Sequence, residues 1–315
     1  MAPNRRQILT TAGTVGVLAA GYALFSASPR SRPSAALTAP STLTAPATPS
    51  EPATPSAPSV PRTPASLSTP GTPAAPSTPG TANRAEVVAR YRDTVPTRWG
   101  TDVPGVLDRL AGERGQIALT FDACGGPGGD GYDRALIDLL RERNVPATLF
   151  LNSRWIDANP VVSRRLAAEP LFEIADHGTR HRPLSVTGRS AYGIAGTQDA
   201  GEVVAELTAN RDRLADLLGA PPRFFRPGTA YCDDVAVRIA AELGQRVVGF
   251  TVNGDAGATY SAAEIAKEVG AARPGSIVIA HMNHPEGDTA VGFAAALPGL
   301  LAAGHGFTRL SDAFR

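Results

Sequence analysis

Short apolar runs recur along the second part of this chain, and stretches of helical spacing separate them. Ile117–Phe121, Ala147–Leu151, Leu171–Ala175, Arg223–Phe225, Arg246–Phe250, Ser276–Ala280 and Phe307–Arg309 read as strands. Tyr132–Arg143, Val161–Ala168, Glu202–Leu218, Asp233–Leu243 and Ala290–Ala303 carry the helical period. Gly219, Gly244 and Gly304 stop three of these helices, and Ser261-Ala262-Ala263-Glu264 has the form of a capping box opening another. Strand and helix alternate throughout, which predicts one α/β domain with a parallel sheet over residues 84–315. About seven strands are few for a closed eightfold barrel, so a distorted (β/α) barrel is expected, with an open doubly wound sheet as the alternative.

The pattern is absent before Arg84. Residues 28–83 are Pro, Thr, Ser and Ala with almost no large apolar side chains, too few to offset the entropy of ordering them. Prolines fall at every third position from Pro46 to Pro64 and from Pro70 to Pro79, the period of polyproline II. A disordered, extended linker is expected, reaching on the order of 100 Å. Residues 1–27 place Arg5-Arg6 before a mild apolar stretch running from Ile8 to Ala27. That is the form of an export signal, a twin-arginine signal above all, or of an N-terminal anchor. The folded part is therefore expected outside the cell membrane, in the wall, secreted or held by the N-terminal segment. No cysteine precedes residue 100, which argues against a lipoprotein anchor.

A net charge of +1 and 6% aromatic residues argue against nucleic acid and against a charged membrane surface. A monomer is expected. The chemistry lies just past the strand ends, where parallel sheets and barrels assemble their sites. Asp122 follows Ile117–Phe121. His177-Gly178-Thr179-Arg180-His181 follows Leu171–Ala175, Arg226-Pro227 follows Phe225, and His281 follows Ala280. An acid, a histidine pair, an arginine and a further histidine on one face suggest a metal-assisted hydrolase. His177 and His181, four apart, can point to one side of a helical turn and share an ion. The glycine-rich stretch after Cys124 lacks the Gly-Lys-Ser/Thr ending of a phosphate loop. His284 is a substrate contact or a loop hydrogen-bonder, and His305, between glycines, reads as surface. Trp99 and Trp155 are packing residues or groove walls.

The only cysteines, Cys124 and Cys232, each follow a motif. In an exported domain such a pair is expected to form a disulfide that braces two loops. The competing reading makes Cys124 a thiolate metal ligand.

In combination these motifs resemble the polysaccharide deacetylase family, also called carbohydrate esterase family 4 or the NodB-homology domain. Thr120-Phe121-Asp122 is similar to its first motif, His177–His181 to its second, Phe225-Arg226-Pro227 to its third and Ile279-Ala280-His281 to its last. The resemblance spans about Gly115 to Arg315. It implies a seven-stranded distorted barrel, a divalent metal, usually zinc, and hydrolysis of acetyl groups on a polysaccharide such as peptidoglycan or another GlcNAc-containing glycan. N-acetyl is expected before O-acetyl. It also implies His177 and His181 as metal ligands, Asp122 as base, Arg226 as its partner and His281 as acid.

Three departures stand out. Ala123 replaces the family's second aspartate, a metal ligand, so Asp122 is expected to bind the metal as well, with Cys124, Asp176 or water as alternatives. The third motif continues Pro227-Gly228-Thr229-Ala230-Tyr231, which leaves the oxyanion donor unassigned. The fourth motif has no tryptophan, and Asp255 is the candidate to orient His281. The alternative function is a non-catalytic glycan-binding protein on the same fold.

Overall fold

The computed structural model describes residues 83–110 and 115–315. The export signal and nearly all of the linker lie outside the described residues. Within them, no helix is long and apolar enough to cross a membrane.

In chain order the elements are α1 (Arg84–Tyr91), β1 (Trp99–Gly100), β2 (Gln116–Ala123), α2 (Arg134–Glu142), β3 (Ala147–Leu151), α3 (Ser153–Ala158) and α4 (Pro160–Ala167). There follow β4 (Phe172–Asp176), α5 (Ala200–Leu218), β5 (Phe224–Phe225), β6 (Cys232–Asp233), α6 (Asp234–Glu242) and β7 (Arg246–Val247). The chain ends with β8 (Val252–Asn253), α7 (Ala262–Gly270), β9 (Ile277–His281), α8 (Thr289–Ala302), β10 (Gly306–Phe307) and α9 (Leu310–Ala313). The main sheet is parallel, in the order β7-β5-β4-β3-β2-β9-β8, and β10 pairs with the start of β2. Leu107 bridges to Val248 past β7, and Arg109 bridges to Ser276 before β9, so one short segment joins the β7 edge of the sheet to the start of β9. This is the distorted (β/α) barrel, not the open doubly wound sheet.

Local chemistry accounts for the helix limits. Asp133, Asp199 and Asp233 cap α2, α5 and α6 by accepting from the backbone N–H groups of Leu136, Glu202 and Ala236. Gly219 ends α5 in the left-handed conformation at φ 76°. The capping box at Ser261 and Glu264 forms in both directions. Two expectations differ. The run Arg246–Phe250 yields only a two-residue strand, because the chain leaves the sheet to reach β8. Helix α3 comes from Asn152, whose side chain caps Arg154 in a stretch without helical period.

Strand alternation decides what faces the barrel interior. On β2, Ile117, Leu119, Phe121 and Ala123 pack outward in a cluster with residues of α2, α7 and α8. Ala118 packs inward with Phe150, Ala175, Phe224 and Ile277, one each from β3, β4, β5 and β9. The inward face therefore continues as Thr120 and Asp122 on β2, Arg226 after β5, His177 after β4 and His281 at the end of β9. The opposite end is plugged by α9. Leu310 and Phe314 join the inner cluster, while Leu310 N–H donates to Thr148 Oγ1 and Ser311 N–H to the Glu173 carboxylate. All polar groups of interest thus open at the C-terminal mouth.

Candidate active site at the barrel mouth

Arg226 organises the floor of the site. Its side chain is 0% exposed, and a buried guanidinium needs both a counter-charge and acceptors for its fork of donors. Nη1 donates to Asp122 Oδ1 at 2.8 Å and to Thr120 Oγ1 at 2.9 Å. Nη2 donates to Gly249 O at 3.0 Å and Nε to Val248 O at 3.3 Å, and the guanidinium lies 4.2 Å from the centre of the Phe150 ring. Asp122 is thereby held in one orientation, with Oδ2 turned to His177 Nε2 at 3.7 Å. Because Asp122 and Arg226 neutralise each other away from water, removing one strands the other. Arg226→Met is expected to lower the free energy of unfolding by about 3–5 kcal/mol. The double variant with Asp122→Asn is expected to recover part of that loss. Urea titration of the two single variants and the double variant measures both, and additive losses would refute the coupling.

The histidine pair stands on a loop. His177 and His181 were expected on one side of a helical turn, but Gly178 has φ 80° and His181 φ 59°, which breaks any helix. The rings still meet, edge to face, with centroids 4.8 Å apart. Glu206, buried on α5, holds this loop. Its carboxylate accepts from the backbone N–H groups of Thr179, Arg180 and Arg182 at 2.9–3.3 Å. The sequence carried a signal for Glu206 that is easily passed over: a carboxylate on the face of α5 that otherwise buries Val203, Leu207 and Leu214. Asn210, one turn on, donates to Leu151 O and Asp176 Oδ1, and Asn152 donates to the carbonyls of His177 and Gly178.

His177 Nδ1 pairs with the Arg226 carbonyl at 2.8 Å, which makes Nδ1 the donor and leaves Nε2 free to ligate. Burial pushes its pKa down, but Asp122 and Cys124 outweigh that and hold it above the ordinary value.

His281 and Asp255 form the second pair. Nδ1 lies 2.9 Å from Asp255 Oδ1, and the His281 backbone N–H donates to Oδ2 at 2.6 Å. Thr289 Oγ1 and the Gly257 N–H also donate to this carboxylate, so it is fully anchored. Burial disfavours charge on the ring, yet Asp255 prevails and lifts His281 well above its ordinary pKa, while the Asp255 carboxyl is lowered. The structure therefore brings Asp255 to His281 without the family's tryptophan.

The disulfide expected between Cys124 and Cys232 is not formed, and both cysteines are free. The physical reason is direction. Cys232 on β6 is fully buried among Val203, Leu207 and Val235 beneath α5 and α6, where burial pushes its thiol up to about 12. Cys124 turns into the mouth, with Sγ 3.5 Å from His177 Nε2. Burial opposes its ionisation, but His181 and hydrogen bonds from His177, His181 and His281 hold the thiol well below its usual range. Cys124, His177 and His181 form a set whose donor atoms all lie within 4.8 Å of one another, and Asp122 is not in that set. Two imidazoles and a thiol fit a divalent transition metal.

Asp176 points away from this cluster. It accepts from Gln245, Gly178 and Asn210, and burial pushes it up to about 7, so it props the loop and is no substitute ligand. His284 pairs with Glu286 at 3.0 Å outside the cluster. Trp155 is fully buried and lines no groove, its Nε1 donating to Gly131 O at 2.7 Å. Trp99 packs against Tyr231 and beneath Arg189.

Two glycines set loop positions at the mouth. A Cβ on Gly125 would come within 2.3 Å of the Trp155 backbone nitrogen, so the loop after Cys124 lies tight on α3. A Cβ on Gly228 would come within 2.3 Å of the His181 carbonyl, so the third motif rests directly on the second. Thr229 and Ala230 follow at φ 71° and 61°, a strained pair beside the site.

The chain is similar to known proteins in sequence and in fold. Residues 110–248 match the polysaccharide deacetylase family. The chain is similar to a chitooligosaccharide deacetylase of Sinorhizobium fredii, 29% identical over 64% of this chain and 81% of the relative. It is also similar to a chitooligosaccharide deacetylase of Bradyrhizobium sp., 31% identical over 49% of this chain and 65% of the relative. Among solved structures, a carbohydrate esterase family 4 pseudoenzyme from Bacillus anthracis superposes with TM-score 0.57 at 19% identity, covering 67% of this chain and 69% of its own. Three of the four motifs, Thr120–Asp122, His177–His181 and Phe225–Pro227, fall within the match to the polysaccharide deacetylase family, and the barrel seats them at one mouth.

Proposed function

We propose that this protein is a metal-dependent hydrolase that removes acetyl groups, N-acetyl before O-acetyl, from a GlcNAc-containing polysaccharide. The observation that carries this reading is the convergence of two charged pairs, Asp122–Arg226 and His281–Asp255, with the His177–His181 pair at one barrel mouth. The chitooligosaccharide deacetylases it resembles support the substrate class.

The chain's own groups divide the reaction. His177 and His181 would hold a divalent ion, with zinc the best fit to the donors. Such an ion supplies Lewis-acid polarisation of the acetyl carbonyl and lowers the pKa of water. Arg226 keeps Asp122 aimed, and Asp122 accepts the proton of the attacking water through Oδ2. His281, kept protonated by Asp255, gives its proton to the departing nitrogen. An amine leaves poorly without that proton, which is why an acid as well as a base suits an amide. An exported, monomeric enzyme acting on wall or extracellular glycans fits the paired arginines and the proline-rich segment ahead of the domain.

Acetate release decides the reading. Zinc-loaded protein is expected to liberate acetate from N-acetylated chitooligosaccharides or peptidoglycan fragments, and less from acetylated xylan. Glycan binding with no acetate from any of the three would instead establish a binding protein on this fold, the reading that the replacement at Ala123 favours.

A further inference from the structure

Asp122 and Cys124 both approach His177, but they are placed for different work. Asp122 Oδ1 is taken by Arg226 at 2.8 Å, and its carboxylate lies outside the set that groups with both histidines. Cys124 is two residues further along the same strand direction, so it returns to the inward side that carries Thr120 and Asp122. Ala123 between them is fully buried in the outer cluster with Phe121 and Leu151. A ligand at 123 would leave the barrel wall, whereas a side chain at 124 enters the mouth.

We infer that Cys124 is the third protein ligand of the ion held by His177 and His181, which makes the centre a thiolate site of two histidines and one cysteine. The inference rests on the deacetylase reading and goes beyond it by assigning the ligand that replaces the missing carboxylate. Four observations carry it. The three donor atoms lie within 4.8 Å of one another, and Sγ is 3.5 Å from His177 Nε2, the nitrogen left free by the Nδ1 contact to Arg226 O. The Cys124 backbone is fixed, because Arg154 Nη2 donates to its carbonyl at 3.1 Å and Gly125 lies against the Trp155 backbone. No disulfide competes for the sulfur, since Cys232 is buried in a different cluster. The thiolate also supplies the single negative charge that a carboxylate ligand would bring, which leaves Asp122 free to act as base.

A soft ligand changes which ion is held. Thiolate donors select zinc and cobalt over manganese and magnesium, which oxygen donors suit. Cobalt(II) therefore serves as the probe. Protein stripped of metal and reloaded with cobalt is expected to show ligand-field bands in the visible and, in addition, a sulfur-to-cobalt charge-transfer band in the near ultraviolet. Cys124→Ser should remove the charge-transfer band and weaken cobalt binding by about 100-fold or more, beyond the 10–100-fold that loss of an outer-shell partner produces. Cys232→Ala should leave the band in place. X-ray absorption of the zinc-loaded wild type provides a measurement that needs no variant, and should show one sulfur at about 2.3 Å with nitrogen at about 2.0–2.1 Å. Cobalt bound with ligand-field bands but no sulfur band, and a zinc shell without sulfur, would overturn the thiolate assignment and leave the deacetylase reading standing. No cobalt bound at all would overturn both.

Discussion

Replacing Asp122 with asparagine is expected to lower turnover by about 10²–10⁴-fold, the range for loss of a general base. Metal content should stay near one ion per chain, because the substitution removes no atom from the Cys124, His177 and His181 set. The amide oxygen can still accept from Arg226 Nη1, so the side chain is expected to keep its orientation, and only the proton-accepting charge is lost. Arg226 is then left as a buried cation without its counter-charge, so a lower melting temperature should accompany the loss of activity. Measurements of kcat and metal content well below the melting transition separate the two effects. A variant that loses its metal together with its activity would show that Asp122 is a ligand as well as the base, the double role that the sequence alone led us to expect. A fully active variant would remove it from the proton transfer altogether.

His281→Ala is expected to cost a similar factor, about 10²–10⁴-fold in kcat on an N-acetyl substrate. The effect should shrink on an O-acetyl substrate or one with an activated leaving group, which departs without help. Asp255→Asn tests the pair differently. The neighbouring carboxylate raises the His281 pKa, so removing its charge lowers it. His281 must be protonated to act as acid, so activity falls as pH rises through its pKa. The alkaline limb of the pH profile is therefore expected to move to lower pH in Asp255→Asn, while the His281→Ala variant should lack that limb. Near-normal turnover in His281→Ala would end its assignment as the acid. His284, paired with Glu286 outside the cluster, would be a poor replacement.

The strands, the helix limits and the four motifs were legible in the chain because each depends on short-range physics. A buried strand needs consecutive apolar side chains, a helix needs a cap, and a parallel sheet gathers its functional groups past the strand ends. Asp122, His177, His181, Arg226 and His281 could be named for that reason, and Asp255 could be proposed as a partner for His281. Direction and distance between segments far apart in sequence were set by packing. Cys124 and Cys232 look alike as residues that follow a motif. One faces the histidines and the other faces the α5–α6 cluster, and strand parity and loop course separated them. The histidine spacing suggested a helical turn, but a loop held by Glu206, on a helix more than twenty residues downstream, brings the rings together. Such long-range partners leave only faint marks in a sequence, such as a carboxylate on an apolar helix face. Their meaning depends on which backbone donors the fold delivers to them, and that is set when the elements pack.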